Sequence, residues 1–185
     1  IKSASQLQNF HANLSKHFIL GADIDMTGVK FTPIGSYSAD GKTAFSGSLV
    51  GNSFAIRNLR INDEESDYQA LFAATDGARI MNFKIESATI FGKNNAAALI
   101  GYAKDTQVES VSLGSGLATV QVRGQDNIGG MIGKIDGRTT VRYSKVIVDI
   151  EGKKNVGGLA GIVEKNAIVR DSASSGKVLG EESVG

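Results

Sequence analysis

Asn127-Ile128-Gly129-Gly130-Met131-Ile132-Gly133 returns 28 residues later as Asn155-Val156-Gly157-Gly158-Leu159-Ala160-Gly161. Looser copies come earlier, Asn95-Ala96-Ala97-Ala98-Leu99-Ile100-Gly101 and the degenerate Tyr68-Gln69-Ala70-Leu71-Phe72. The apolar anchors Leu71, Leu99, Met131 and Leu159 are spaced 28, 32 and 28 apart. The closing Glu181-Glu182-Ser183-Val184-Gly185 aligns with Lys153-Lys154-Asn155-Val156-Gly157. A fixed period of this size is the mark of a solenoid. A chain that stops inside its own motif is expected to be a piece of a longer repeat protein.

Working outward, residues 68–185 read as repeats of three short strands. A Gly-rich apolar run such as 157–163 comes first. About nine residues after each anchor comes a second run, Ile80-Met81-Asn82-Phe83 and its equivalents at Val108, Val141 and Ile168. A third precedes the next Gly, as at Ala88-Thr89-Ile90-Phe91 and Thr119-Val120-Gln121-Val122. Three such strands cannot bury an apolar face alone. One repeat per coil turn lets every strand pair in parallel with its equivalent on the next turn, about 4.8 Å away. Corners in such a coil need left-handed or bulged backbone, which Gly and Asn adopt at least cost; the chain holds 23 Gly. Stacked Asn82-type positions are candidates for an amide ladder. A β-sandwich would show two-residue hairpin signals every 8–12 residues, and few are present. The 32-residue unit carries its extra length at Gly114-Ser115-Gly116.

Upstream, residues 3–14 read as a helix with Leu7, Phe10 and Leu14 on one face. Ser3 with Gln6, or Ser5 with Gln8, supplies a capping box. Such a helix is placed to cover the N-terminal strand edges of the coil, which otherwise invite aggregation. Residues 18–61 then read as lead-in strands: Phe18-Ile19-Leu20, Ile24-Asp25-Met26, Thr32-Pro33-Ile34-Gly35, Phe45-Ser46-Gly47-Ser48-Leu49, and Ala55 to Ile61 with a slip at Asn58. Gly51-Asn52 is a turn. The whole of 1–185 is expected to be one β-helix domain.

The totals narrow the function classes. With 41% apolar residues the chain should fold. The charges nearly cancel, 20 Lys+Arg against 19 Asp+Glu, and aromatics are 6%. That balance gives neither the basic stripe nor the stacking platforms of nucleic-acid binding. No run of 18 apolar residues exists, so no membrane insertion is expected. Cysteine is absent, which suits a chain exported unfolded.

The lead-in Phe18 to Met26, Phe31-Thr32-Pro33-Ile34-Gly35 and Phe45 to Leu59, followed by Ile128-Gly129-Gly130-Met131-Ile132-Gly133 and Val156-Gly157-Gly158-Leu159-Ala160-Gly161, resembles GLUG-motif proteins. Such repeats occur in filamentous haemagglutinin-like adhesins and exoproteins, and in the N-terminal regions of immunoglobulin A1 metalloproteases. The resemblance implies a right-handed parallel β-helix displayed outside the cell. Asn95-Ala96-Ala97-Ala98 departs from it by lacking the Gly pair, and Val50-Gly51-Asn52 has Val where Asp is commoner. The family offers no catalytic residue to carry onto this segment.

Candidate chemistry is sparse. Gly35 to Gly41-Lys42-Thr43 has five residues between its glycines where a phosphate loop needs four, and no helix pattern follows; a surface turn is the expected reading. Asp23 and Asp25, on one face of a strand, could chelate Ca²⁺, but the rest of a calcium loop is missing. His11 and His17 have no third ligand, so no metal and no cofactor are expected. Asp149 with Glu151 resembles a polysaccharide-cleaving pair by fold analogy alone. The sequence is expected to lack the aromatic platforms and the Asp/Lys/Arg cluster that a sugar groove needs.

The resulting expectation is a non-enzymatic segment of a bacterial cell-surface or secreted adhesin, a virulence factor. It would serve as a rigid stalk and as a face for a host-cell or extracellular protein or glycan ligand. Loops at 36–44, 62–67 and 114–116 are the candidate contacts. The alternatives are the accessory N-terminal domain of a secreted zinc metalloprotease and a carbohydrate-active β-helix.

Overall fold

The computed structural model describes residues 1–116, 119–164 and 166–185. The chain is a parallel β-solenoid of about six turns with one short N-terminal helix. Its strands stack into five sheets. The first runs His17–Ile19, Ser48–Val50, Arg79–Met81, Gln107–Glu109, Thr140–Arg142, Ile168–Arg170. The second runs Ile24–Asp25, Ala55–Arg57, Lys84–Ile85, Ser112–Leu113, Lys145–Ile147, Ala173–Ser175. The third begins only on the next turn, with Leu59–Asn62, Ala88–Phe91, Val120–Arg123, Asp149–Glu151, Val178–Leu179. The fourth holds Asp126–Gly129, Lys154–Gly157, Glu182–Val184, and the fifth Phe72–Asp76, Ile100–Lys104, Ile132–Asp136, Ala160–Val163.

A complete turn therefore has five strands, where the periodicity predicts three. The Gly-rich run divides at a corner between the fourth and fifth sheets, and the second run divides between the first and second. The division of the second run falls at residues in left-handed conformation. Asn58, which reads as a slip in alternation, has φ 58° and turns the chain from the second sheet into the third. Asn82, Ser110, Tyr143 and Asp171 make a different corner, between the first and second sheets, with φ between 49° and 54°.

Register carries the core. Ile80, Val108, Val141 and Val169 lie opposite one another in the first sheet. Ile61, Ile90, Val122 and Ile150 do so in the third. Alternate side chains of a strand point to opposite faces, so each column is apolar inward and polar outward. All of these residues except Val169 are buried. Outward ion pairs such as Arg123–Glu151 at 2.9 Å and Arg142–Glu109 at 2.8 Å join successive turns; exposed pairs of this kind contribute less than about 1 kcal/mol each.

An amide ladder forms, but not at Asn82, whose column carries four different side chains. It forms at the motif's leading residue. Asn127 Nδ2 donates to Asn95 Oδ1 at 3.1 Å, and Asn155 Nδ2 donates to Asn127 Oδ1 at 2.8 Å. All three have φ of 52–58°. The Ala-rich copy keeps this corner; its missing Gly pair reduces the fourth-sheet strand there to a single Ala97–Gly129 bridge.

The helix is shorter than the apolar spacing predicts: an α-helical Ala4–Gln8 passes into a 3₁₀ turn, Asn9–Ala12. Ser3 Oγ accepts from the Gln6 N–H at 3.3 Å, and Gln6 Oε1 accepts from the Lys2 N–H at 2.7 Å. Leu7 and Phe10 are buried. The Phe10 ring stacks on Phe18 at 3.8 Å and approaches Phe45 at 6.1 Å, and Phe45 meets Phe72 at 4.8 Å. The helix therefore plugs the first turn with an aromatic column.

Candidate functional site

The wall is interrupted most sharply on the first turn. Ile34 bridges Phe72 and Phe45 bridges Thr75. Ten residues, 35–44, thus occupy the place that two residues, Ala73 and Ala74, fill on the next turn. The insertion is tied together from within. Ser36 N–H donates to the Thr43 carbonyl at 2.8 Å, and Thr43 Oγ1 donates to the Ser36 carbonyl at 3.0 Å. Asp40 accepts from the Lys42 N–H and from Ser38 Oγ, which with a Lys42 ion pair hold its carboxyl below the usual range. Gly41, at φ +70°, lies so close to the Asp76 carboxylate that a Cβ would overlap it.

This insertion lays Tyr37 over the fifth sheet. Its ring stacks on Tyr68 at 5.0 Å and meets Tyr102 edge-on at 4.9 Å. Beneath lies a recess of about 150 Å³ lined by Tyr37, Tyr102, Asp76, Lys104 and Asp136, among others. Tyr102 donates its hydroxyl to Asp136 Oδ2 at 2.6 Å, and the Gly137 N–H donates to the other carboxylate oxygen at 2.7 Å. Lys104 Nζ lies 3.5 Å from Asp76 Oδ2.

These contacts set the charge states. Hydrogen bonds from Tyr102 and Gly137 hold the Asp136 carboxyl below its ordinary value. Burial, then the hydrogen bond to Asp136, push the Tyr102 hydroxyl well above the phenol range. The recess therefore offers a protonated tyrosine, two carboxylates and an ammonium beside aromatic rings. That set suits recognition: ring faces cover apolar C–H surface while the carboxylates accept from hydroxyl or N–H groups.

A group whose folded pKa is raised contributes stability that is present below the unfolded pKa, about 10 for tyrosine, and is lost as pH rises through the folded value. Tyr102 should therefore stay protonated through the ordinary tyrosine transition. Tyr102→Phe is expected to leave the phenolate absorbance rise between about pH 9 and 11 unchanged. Burial raises the Tyr68 hydroxyl as well, so a fall in that amplitude on removing Tyr102 would show that Tyr102 titrates normally.

The family can now be placed. Residues 3–115, more than half of the chain, match the family described as M26 IgA1-specific metallo-endopeptidase N-terminal region. The chain belongs to this family. Of the two kinds of protein its repeats resemble, the match is to the metalloprotease kind. Halomucin of Haloquadratum walsbyi is 31% identical over 150 residues, which cover 73% of this chain and 2% of halomucin. A solved structure from Bacteroides ovatus, assigned as an immunoglobulin A1 protease, superposes with a TM-score of 0.58 at 18% identity. The superposition covers 97% of this chain and 66% of that chain. At that identity the likeness carries the fold alone. The chain thus spans about 2% of halomucin and just under two thirds of the Bacteroides structure.

The other sequence candidates do not meet at a centre in this M26 N-terminal region. Asp23 accepts from the Ala55 N–H and pairs with Arg57, which also pairs with Glu86. Asp25 accepts from Asn58 Nδ2, Thr27 Oγ1 and the Thr27 N–H. Both carboxylates are thereby engaged by protein donors. Asp149 accepts from the Lys177 N–H and Glu151 pairs with Arg123, so both are engaged by neighbouring protein groups. His11 Nε2 lies 3.2 Å from the Thr32 carbonyl oxygen and His17 Nδ1 3.0 Å from Ser48 Oγ. Gly41-Lys42-Thr43 is part of the insertion, and the element that follows it is the strand Ser48–Val50. Among the described residues no three His, Asp or Glu are grouped to hold a metal, and no helix is long and apolar enough to cross a membrane.

The aromatic platform is a correction to the sequence reading. Tyr37, Tyr68 and Tyr102 come from three turns, and only the insertion brings the first of them over the other two. Of the predicted loops, 36–44 forms this site. The loop 62–67 closes on itself, with the Ser66 N–H donating to the Asp63 carbonyl at 3.2 Å. Residues 114–116 precede residues 117 and 118, which lie outside the described set.

Asp25 gives a second pH test. Hydrogen bonds from Asn58 and Thr27 lower its pKa to about 2. A depressed folded pKa contributes stability present above the unfolded value, about 3.9, and lost as pH falls through the folded value. Asp25→Asn should flatten the loss of stability between about pH 4 and 2, measured as denaturant midpoints. An unchanged slope would show that this network does not persist in solution.

Proposed function

We propose that this chain is a rigid, non-catalytic accessory segment of an exported immunoglobulin A1 endopeptidase-type protein, acting outside the cell. The match of residues 3–115 to the N-terminal region family carries the proposal. The architecture supports it: parallel ladders and a continuous core make a stiff rod, and the 35–44 insertion adds one built recess to its side. The rod would set the distance and angle between substrate and a catalytic unit. The recess would hold a protein or glycan surface of the substrate. The likeness to halomucin favours a second reading, a stalk or adhesive face in a long surface exoprotein.

The isolated chain with intact immunoglobulin A1 tests the proposal. It is expected to leave the immunoglobulin uncut and to bind it, with binding lost in Tyr37→Ala. Cleavage by the isolated chain would overturn the non-catalytic reading. Absence of binding, together with Tyr37-dependent retention on cell surfaces, would favour the adhesive reading instead.

A further inference from the structure

The third sheet lacks a strand on the first turn. Its edge strand, Leu59–Asn62, is paired only with Ala88–Phe91. The Leu59 N–H donates to the Ser87 carbonyl at 3.2 Å and the Asp63 N–H to the Phe91 carbonyl at 3.0 Å. Backbone groups alternate in direction along a strand, so the N–H and C=O of Arg60 and Asn62 point the opposite way. Among the described residues they have no hydrogen-bond partner.

The first-turn chain that should cover this edge is held elsewhere. Thr32 N–H donates to Gln8 Oε1 at 2.9 Å, and the Thr32 carbonyl accepts from Gln8 Nε2 at 3.2 Å. Both backbone groups of Thr32 thus belong to the capping helix. Pro33 has no N–H to give, and Gly28 at φ +72° turns the segment aside. A groove of about 610 Å³ remains between 28–33 and 60–63, inside the range of about 300–1,000 Å³ typical of ligand sites. Gln69 lines it and is only 8% exposed. Its amide nitrogen donates to the Asp67 carbonyl at 3.1 Å, while no protein donor among the described residues reaches its Oε1.

We propose that this groove binds an extended peptide segment as an added strand on Leu59–Asn62. Strand addition uses the main chain for affinity and alternate side-chain positions for selectivity. Here the inward positions meet buried Phe31 and Ile61, which take apolar side chains. The outward positions meet exposed Lys30 and Arg60, which take acidic ones. The occupant is therefore a proline-free peptide alternating apolar and acidic residues. This site is separate from the tyrosine recess, and the inference does not depend on the accessory role.

The test uses the full chain and a fluorescein-labelled octapeptide alternating valine and glutamate. A control peptide carries N-methyl groups on alternate amides along one edge, and a second carries them along the other. Saturable binding is expected, weakened about tenfold or more by methylation of one edge but not the other, as loss of two or more main-chain hydrogen bonds requires. Amide exchange at Arg60 and Asn62 should slow about tenfold on binding. Asn62→Pro, which removes a donor only on the groove side, should abolish that binding. No saturable binding, equal binding of all three peptides, or protection on Ile168–Arg170 instead would overturn the proposal. Protection of Arg60 and Asn62 by self-association without peptide would overturn it also.

Discussion

Gly133→Ala is expected to destabilise the chain by about 3 kcal/mol or more, at the upper end of what overpacking costs. A Cβ built at Gly133 would lie 2.6 Å from the carbonyl carbon of Asn95 and 2.7 Å from the carbonyl oxygen of Gly101. Both are backbone atoms of the preceding turn and cannot rotate away. Gly101 and Gly161 stand in the same relation to the turns before them, with contacts of 2.7 Å to the Ala73 carbonyl oxygen and 2.5 Å to the carbonyl carbon of Asn127. The last glycine of the motif is thus a packing requirement between turns. Its own φ lies outside the left-handed region. A Cβ at Gly116 meets nothing within 4 Å, so Gly116→Ala should stay within about 0.5 kcal/mol of the parent. Urea unfolding of both variants measures the contrast, and equal midpoints would refute the close approach.

Phe72→Ala is the second large effect, a loss of about 3–5 kcal/mol from transfer and cavity terms together. Phe72 is fully buried, its ring 4.8 Å from Phe45. It pairs with Ile100 on one side and bridges Ile34 on the other. Truncation would empty the place where the aromatic column of the cap meets the aliphatic columns of the coil. Phe91 is the comparison: it points outward, and Arg123 lies over its ring at 5.3 Å. Phe91→Ala should cost about 1 kcal/mol or less, the scale of an exposed cation–π contact. If both truncations lowered the urea midpoint equally, the core would not lie where the columns place it.

The repeat was legible in the sequence because one physical requirement recurs at one spacing. Leu71, Leu99 and Met131 must all point inward, and a glycine must stand where the next corner presses against it. The five-strand division was hidden because left-handed backbone is not confined to Gly and Asn. Tyr68, Ser110 and Tyr143 adopt it too, held by the ladders on either side, so residue type alone marks only some corners. The recess was hidden for a different reason. Tyr37, Tyr68 and Tyr102 are separated by 31 and 34 residues, spacings that an insertion sets and that the period does not. The open edge at Leu59–Asn62 left a faint trace: Gly28 and Pro33 break the alternation of the lead-in. The trace acquires meaning only when Gln8 is seen to hold both backbone groups of Thr32.

The asparagine ladder turns this fold into a graduated scale. Asn95, Asn127 and Asn155 occupy one corner on three successive turns, and Asp126 pairs with Lys154 just before it. Excising residues 127–154 would join Asp126 to Asn155 and leave Asn155 to donate to Asn95. Such a chain would be shorter by one strand spacing, about 4.8 Å, with both ends otherwise unchanged. Length here comes in whole steps, so a lineage carrying this coil can lengthen or shorten its reach by gaining or losing a unit of sequence, with no new contacts to invent.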